Sequence, residues 1–524
     1  MDATPRALIS VYDKAGVVEL ASGLAELGWE LIASAGTARV LEAEGLAVLD
    51  VADHTGSPVM LGHRVVTLHP RIHGGILADR DDPAHQADLE SNSIDPIDLV
   101  VVNLYPFEAS PGIDTIDIGG PTMVRAAAKN HAHVGVVVDP ADYRPVLDEL
   151  RSDGRLAATT CRRLAQKAFA HSAAYESAIA DWFEATSSTA TPLDEASADA
   201  SGRSDAGLRT VISLELERAE VLRYGENPHQ HGARYRVRGV SGFFDGVVQH
   251  GGPALSYLNL MDAEAAWRLA HALGDGPAAV IVKHANPCGA AVAGDLATAY
   301  SRAFDCDPRS AFGGVVAVNA VIDEATADAM VTAAQADVVI APGYADGVIE
   351  RLAARRANTR LLEARADSGR EPAWELRSLG SDDFLVQSPR RLEADPADWQ
   401  VVTARPPTAA EMADAVFAWR VCAHVSSNAV VLARGGVAWG IGAGQQNRVE
   451  AGQLAAAKAA GRAVGGACAS DGFYPFADGI HTAADAGAVV IVQPGGSVND
   501  AAVIAAADEH NITMLFTGER QFRH

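Results

Sequence analysis

The chain has 524 residues, 48% of them hydrophobic and 21% charged, which is length enough for two or more domains that each bury a core. Its 42 basic and 67 acidic residues give a net charge of −25, which excludes a broad nucleic-acid footprint but not a small anion held by a few local cations. Five scattered cysteines with no Cys-x-x-Cys pair exclude a disulfide framework and a zinc knuckle, and no apolar run has transmembrane length. The first residues lack the basic and apolar regions of a signal peptide, so the expectation is a soluble, cytoplasmic protein with neither nucleic acid nor membrane as partner.

In chain order, Leu8–Val11 reads as a strand and Val17–Leu27 as an amphipathic helix ended by Gly28. Leu31–Ala33 is a second strand and Thr37–Glu44 a second helix, and Leu99–Val102 and Val134–Val138 read as further buried strands. This βαβ alternation implies a parallel sheet covered by helices. Ser34-Ala35-Gly36-Thr37 lies where a strand meets a helix start; its N–H groups and hydroxyls suit a phosphate, though a plain Ser or Thr N-cap explains the same residues. Lys14 and Arg64 would complete an anion pocket if their strand ends converge. His69 and His73 are four apart, but Pro70 between them argues against a helix, and no metal is expected.

Residues 185–207 are small, polar and turn-forming, which marks a linker between a first domain, 1–184, and a second, 208–524. Beyond it, strands are expected at Ala278–Val282, Gly314–Val318, Val338–Ile340, Asn428–Leu432 and Val489–Val492, with helices at Ala263–Leu273, Gln453–Ala460 and Asp500–Glu509. No repeat of fixed period is visible. The apolar run Ala278–Val282 delivers Lys283 and His284 side by side at its carboxyl end, where open α/β sheets bind ligands. Such a pair offers an electrostatic clamp and a general base. Gly440-Ile441-Gly442-Ala443-Gly444 lacks the Gly-x-Gly-x-x-Gly spacing of a dinucleotide site and reads as a tight backbone approach.

Arg223-Tyr224-Gly225-Glu226-Asn227-Pro228-His229-Gln230 together with Lys283-His284 resembles the transformylase half of the bifunctional purine-biosynthesis family. That family joins aminoimidazole carboxamide ribonucleotide (AICAR) transformylase to inosinate (IMP) cyclohydrolase. Asp307–Gly313, Ile340–Tyr344, Gly440–Arg448 and Ser470–Phe476 extend the resemblance. In the first part, Ser34–Thr37, Asn103–Phe107, Ile116–Gly120 and Arg125–His131 are similar to the cyclohydrolase half. The resemblance implies an α/β fold: an N-terminal methylglyoxal synthase-like parallel-sheet domain, then a transformylase region of two cytidine deaminase-like α/β subdomains. Pro287-Cys288-Gly289 is similar to the start of a zinc-deaminase motif, but position 291 is Ala, so zinc is not expected.

The resemblance implies that formyl from 10-formyltetrahydrofolate, a folate co-substrate, passes to AICAR, and that the formylated product (FAICAR) then closes to IMP with loss of water. His284 would accept the amine proton, with Lys283 as electrostatic partner and Asn428 assisting. Arg223, Tyr224, Gly313, Asp337, Arg448 and Arg520 would hold the ribonucleotide, with Phe473 and Asp478 near nucleotide and folate. In the first domain Tyr105, Asp117 and Lys129 would serve ring closure; Lys14, Ser34, Gly36, Thr37, Arg64, Thr67 and Asn103 would hold the nucleotide. A homodimer is also implied. One position departs: the family reads Arg-Val-Lys-Thr-Leu-His-Pro where this chain has Val66 in place of Lys. This leaves two alternatives beside the bifunctional enzyme: a transformylase with impaired cyclohydrolase, or a nucleotide-binding regulator without turnover.

Overall fold

A computed structural model of the chain describes residues 4–61, 65–187, 211–365, 374–380 and 382–524. It divides into two units, Met1–Glu215 and Leu216–His524. Most of the segment expected as a linker lies outside the described residues; its first residues, up to Ser187, end a helix that begins at Ala158. Among the described residues no helix is long and apolar enough to cross a membrane.

In the first unit, β1 (Arg6–Val11), β2 (Glu30–Ala33), β3 (Val48–Asp50), β4 (Leu99–Asn103) and β5 (Gly135–Val137) form a parallel sheet of order β3-β2-β1-β4-β5. Ala7, Leu8, Ile9 and Leu99–Val102 are buried, as helices covering both faces require. The order reverses between β1 and β4, and ligands of open α/β sheets bind at the carboxyl ends flanking such a reversal. The helix expected from Thr37 begins at Ala35. Pro70 starts a helix rather than excluding one: Pro70–Leu77 carries Pro at its first position, where no N–H is needed, and His69 Nδ1 caps it by accepting from Arg71 N at 3.1 Å.

In the second unit a ribbon of β6 (Leu216–Leu222) and β7 (Gly232–Val237) carries the Arg223–Gln230 loop at its turn. One half of the main sheet comprises β8 (Val248–Gly251), β9 (Ala278–Lys283), β10 (Asn286–Val292), β11 (Val315–Val318), β12 (Val338–Ala341) and β13 (Arg360–Glu363). A small hairpin, β14 (Glu375–Ser378) and β15 (Phe384–Gln387), stands apart. The other half comprises β16 (Gln400–Val401), β17 (Val430–Arg434), β18 (Val437–Gly442), β19 (Ala467–Ser470), β20 (Val490–Gln493) and β21 (Thr513–Phe516). The order is β16-β21-β20-β19-β17-β18-β10-β9-β11-β12-β13-β8.

The two halves repeat one plan. Each has a central antiparallel hairpin, then three mutually parallel strands, then an antiparallel edge strand. They join where β10 meets β18, antiparallel, at Ala291 and Val437. The duplication is one of strand plan, which is why no residue period reveals it. Even the close packing repeats: a Cβ at Gly289 would lie 1.9 Å from Ala303 O, and at Gly442 1.9 Å from Ala451 O, on the helices that follow β10 and β18. The tight approach expected at Gly440–Gly444 is therefore strand against helix backbone. Gly442→Ala is expected to lower the stability of the second unit by about 3 kcal/mol, because backbone cannot yield as a side-chain end can; urea unfolding followed by circular dichroism checks it.

Candidate active sites

The reversal point of the first sheet gathers polar groups. Asn103, ending β4, accepts from Tyr12 N at 2.5 Å and from Asp13 N at 2.9 Å, and returns its amide to Asp13 O. Lys14 Nζ reaches Val11 O and lies 3.3 Å from Thr37 Oγ1; burial pushes its ammonium down, against Asp13. Ser34 Oγ is 3.4 Å from Ser10 Oγ and caps nothing, so the plain N-cap reading fails. A Cβ at Gly36 would meet open space. Lys14, Ser34, Gly36, Thr37 and Asn103 thus share one edge. Arg64 lies outside the described residues.

Asp117 precedes the Gly119–Lys129 helix and accepts from Gly120 N at 2.8 Å. A Cβ at Gly120 would lie 2.3 Å from Asp117 Oδ2, and at Gly119 2.6 Å from Thr67 Oγ1, so these glycines admit the carboxylate and hydroxyl to the helix start. Burial pushes Asp117 above the usual carboxylate range, against the N–H groups of Gly120 and Gly119. Burial, then the charge of Asp117, pushes the Tyr105 phenol up, which keeps its proton. Tyr12, which the sequence did not single out, packs edge-on to Tyr105 with centroids 5.5 Å apart. Lys129 is not brought to this group. It is exposed at the opposite end of the same helix, about 16 Å away along the axis at 1.5 Å per residue. Val66 is half-buried and packs on the apolar core.

In the second unit strand direction decides what meets. β9 ends where β11 and β12 begin, and Lys283 Nζ donates to Phe312 O at 2.8 Å. Gly313 follows with φ +69°, its missing Cβ 3.9 Å from Asp337 Oδ1. Arg360, opening β13, is buried, with Nε on Ala254 O at 3.1 Å. Burial pushes its guanidinium down, against Asp337, and Arg360 N donates to Asp337 O at 3.0 Å; Arg223 and Tyr224 lie at the same corner. Arg223 itself lies over the Tyr224 ring at 4.7 Å and donates to its hydroxyl at 2.8 Å.

His284 is exposed, and it and Ala285 both adopt left-handed backbone, φ +54° and +57°. Each such non-glycine residue costs on the order of 1 kcal/mol and persists only where its surroundings hold it. Here Asp262, on the Tyr257–Ala272 helix, accepts from His284 N at 3.2 Å and Ala285 N at 2.7 Å.

The other half supplies the same edge. Asn428, just before β17, accepts at Oδ1 from Arg448 Nη2 at 2.8 Å and donates Nδ2 to Gln445 O at 2.9 Å. Arg448 is not a free cation at the surface: it is 8% exposed, donates to Ser470 Oγ at 2.7 Å and pairs with the fully buried Asp471. Through Nη2 it ties Asn428 into this buried network. Phe522 packs against Gly472, and Arg520 lies exposed over the Phe522 ring at 4.5 Å. Phe473 and Asp478 are exposed near the carboxyl end of β19. Asn286 Oδ1 accepts from Ser426 N at 2.8 Å and so links the His284 turn to the Asn428 segment.

Residues 127–458 match the family model described as AICARFT/IMPCHase bienzyme, and residues 16–128 that of an MGS-like domain. The chain belongs to the AICARFT/IMPCHase bienzyme family. It is an enzyme of purine biosynthesis with formyltransferase and IMP cyclohydrolase activities, and the expected α/β class, an MGS-like domain before the bienzyme domain, holds. A solved structure titled "Crystal structure of ForH" is 38% identical over 34% of this chain and 100% of that one, with a TM-score of 0.33.

Sequence reasoning missed Asp262, Arg360, Asp471 and Tyr12 as parts of these edges. Asp471 lay inside a quoted motif, and Arg360 stands out as a cation opening an apolar strand. Nothing local marks Asp262 inside an Ala-rich helix. Behind the second edge, His424 donates from Nδ1 to Arg420 O at 2.9 Å; burial, with Arg523, Arg268 and Arg390 nearby, pushes its ring down to about 4. An unfolded histidine takes its proton near about 6.5, so the unfolded state gains protons first as pH falls. The second unit is therefore expected to lose stability from that pH down to about 4, while His424→Gln flattens the loss; thermal melts across the range check this.

Proposed function

We propose that the second unit transfers formyl from 10-formyltetrahydrofolate to the amine of AICAR, and that the first closes FAICAR to IMP. In this reading the domains are cyclohydrolase 1–184, linker 185–207 and transformylase 208–524. The observation that carries this, beyond family membership, is Lys283 and His284 delivered together at the edge that also holds Asp337, Arg223 and Asn428.

The amine of AICAR is a weak nucleophile because its lone pair is delocalised into the ring. Its nitrogen attacks the formyl carbon, His284 accepts the amine proton, and Lys283 stabilises the oxyanion of the tetrahedral intermediate. That intermediate collapses with cleavage of the carbon–N10 bond as protonated His284 gives its proton to N10, releasing tetrahydrofolate. Arg223, Tyr224, Gly313, Asp337, Arg448 and Arg520 hold the nucleotide, with Phe473 and Asp478 near nucleotide and folate. Asn428 assists Lys283 and His284, its amide held by Arg448. In the first unit the carboxamide nitrogen attacks the formyl carbon and water leaves. Asp117 suits a proton acceptor there and Tyr105 a donor, while Lys14, Ser34, Gly36, Thr37, Arg64, Thr67 and Asn103 hold the phosphate and ribose. Lys129 joins this chemistry only if the far end of its helix does. A cytoplasmic homodimer is part of the same reading.

A second reading, a slow cyclohydrolase, is favoured by Val66, whose apolar side chain packs on the core where the family carries Lys. One assay separates the two: AICAR with 10-formyltetrahydrofolate, resolving FAICAR from IMP by chromatography. IMP as the main product supports balanced activities; accumulating FAICAR supports the second reading, and no product overturns both. His284→Ala is expected to lower formyl transfer by about 10²–10⁴-fold and leave cyclisation of supplied FAICAR intact. Asp117→Asn should do the reverse, with FAICAR building up. In the wild type, cyclisation should decline on acidification at a higher pH than an ordinary aspartate would give, because burial raises Asp117.

A further inference from the structure

The turn that presents His284 is held at every backbone polar atom. Asp262 takes the N–H groups of His284 and Ala285 at 3.2 and 2.7 Å. Asn286 Nδ2 donates to His284 O at 3.2 Å, and Arg523 Nη1 donates to Ala285 O at 3.2 Å. Two successive left-handed residues, neither glycine, do not persist on local preference. A carboxylate spanning both N–H groups supplies the reason, since a charged acceptor makes the stronger hydrogen bond. By contrast the His284 ring is exposed, so side-chain packing does little to set where it points. Its direction is inherited from the turn.

We infer that Asp262 is a positioning residue for formyl transfer: its carboxylate holds the left-handed His284–Ala285 turn and so aims the imidazole at the amine of the nucleotide. This rests on the reading of His284 as proton acceptor. Asp262 makes no contact with substrate in this account, and Arg523 supports the same turn from the carbonyl side. Released from the carboxylate, Ala285 relaxes toward right-handed or extended backbone and the ring moves from its reactive place. A displacement of about 1 Å in a reacting group can cost on the order of 100-fold in rate.

The test is Asp262→Asn in the full-length chain, which keeps shape but turns an N–H donor toward one of the two amides. Formyl-transfer kcat is expected to fall by about 10–100-fold, with KM for AICAR within about twofold and cyclisation of supplied FAICAR unchanged. An unchanged thermal melt of the full-length variant, with KM retained, reports that the second unit stays folded. Asp262→Asn combined with Ala285→Gly is expected to recover part of the loss, because glycine adopts the left-handed conformation freely. Wild-type kcat in Asp262→Asn overturns the inference. So does a change confined to KM, or an equal fall in both activities with no recovery by Ala285→Gly, which would make Asp262 a fold or binding residue. Amide hydrogen exchange at residues 284 and 285 gives a readout independent of turnover, expected to be slow in the wild type and faster in Asp262→Asn. If His284→Ala retains transfer, the assignment of His284 fails, while exchange still decides whether Asp262 holds the turn.

Discussion

The junction of β10 with β18 is the constraint on which the second unit depends. It is antiparallel, and strand directions propagate outward from it: β9 and β18 end, and β17 begins, at the edge where β11, β12 and β13 also begin. Residues as distant in sequence as His284, Asp337 and Asn428 share that edge for this reason, and the separate β6–β7 ribbon adds Arg223. The strands pair at Ala291 and Val437, toward the opposite edge, and Val292 N donates to Gly436 O there at 2.9 Å. Gly436 has φ +69°, and its Cβ would lie 2.6 Å from Val292 Cγ2, so the junction demands glycine. At the His284 edge the halves are tied by Asn286 to Ser426 instead.

Burial then turns polar groups from ligands into scaffolding. Arg448 and Asp471 are both withdrawn from water, and a pair of this kind survives only when further hydrogen bonds satisfy it. Ser470, Ser427 and Asn428 provide them. The result fixes the Asn428 amide, and Ser427 carries the network on to the backbone N–H of Arg523 at 3.0 Å. Arg523 returns to the His284 turn through Ala285. Arg448, a cation singled out in the sequence, is thus joined to a buried network.

The first unit uses a simpler device. Parallel strands bring like ends together, and the reversal between β1 and β4 leaves room beside them. Glycines at 119 and 120 let Asp117 and Thr67 approach the helix start, and burial then raises both Asp117 and Tyr105. Each therefore holds a proton more firmly than the free side chain does. Val66 lies half-buried on the core beside Thr67, a position that favours an apolar side chain.

The sequence by itself determined the elements that burial dictates. Continuous apolar runs such as Ala278–Val282 and Leu99–Val102 are strands because helices cover both faces, and Lys283-His284 follows because charge ends such a run. Motif composition carried the family. Turn and cap chemistry was legible but ambiguous: Pro70 reads as a helix breaker or a helix starter, and only the cap by His69 decides. Tertiary structure alone decided the duplicated sheet, the burial of Arg448 and the clamp by Asp262. Each depends on strand direction, on distance across the fold or on which side of an element meets water, and none of these is a property of residues near in sequence.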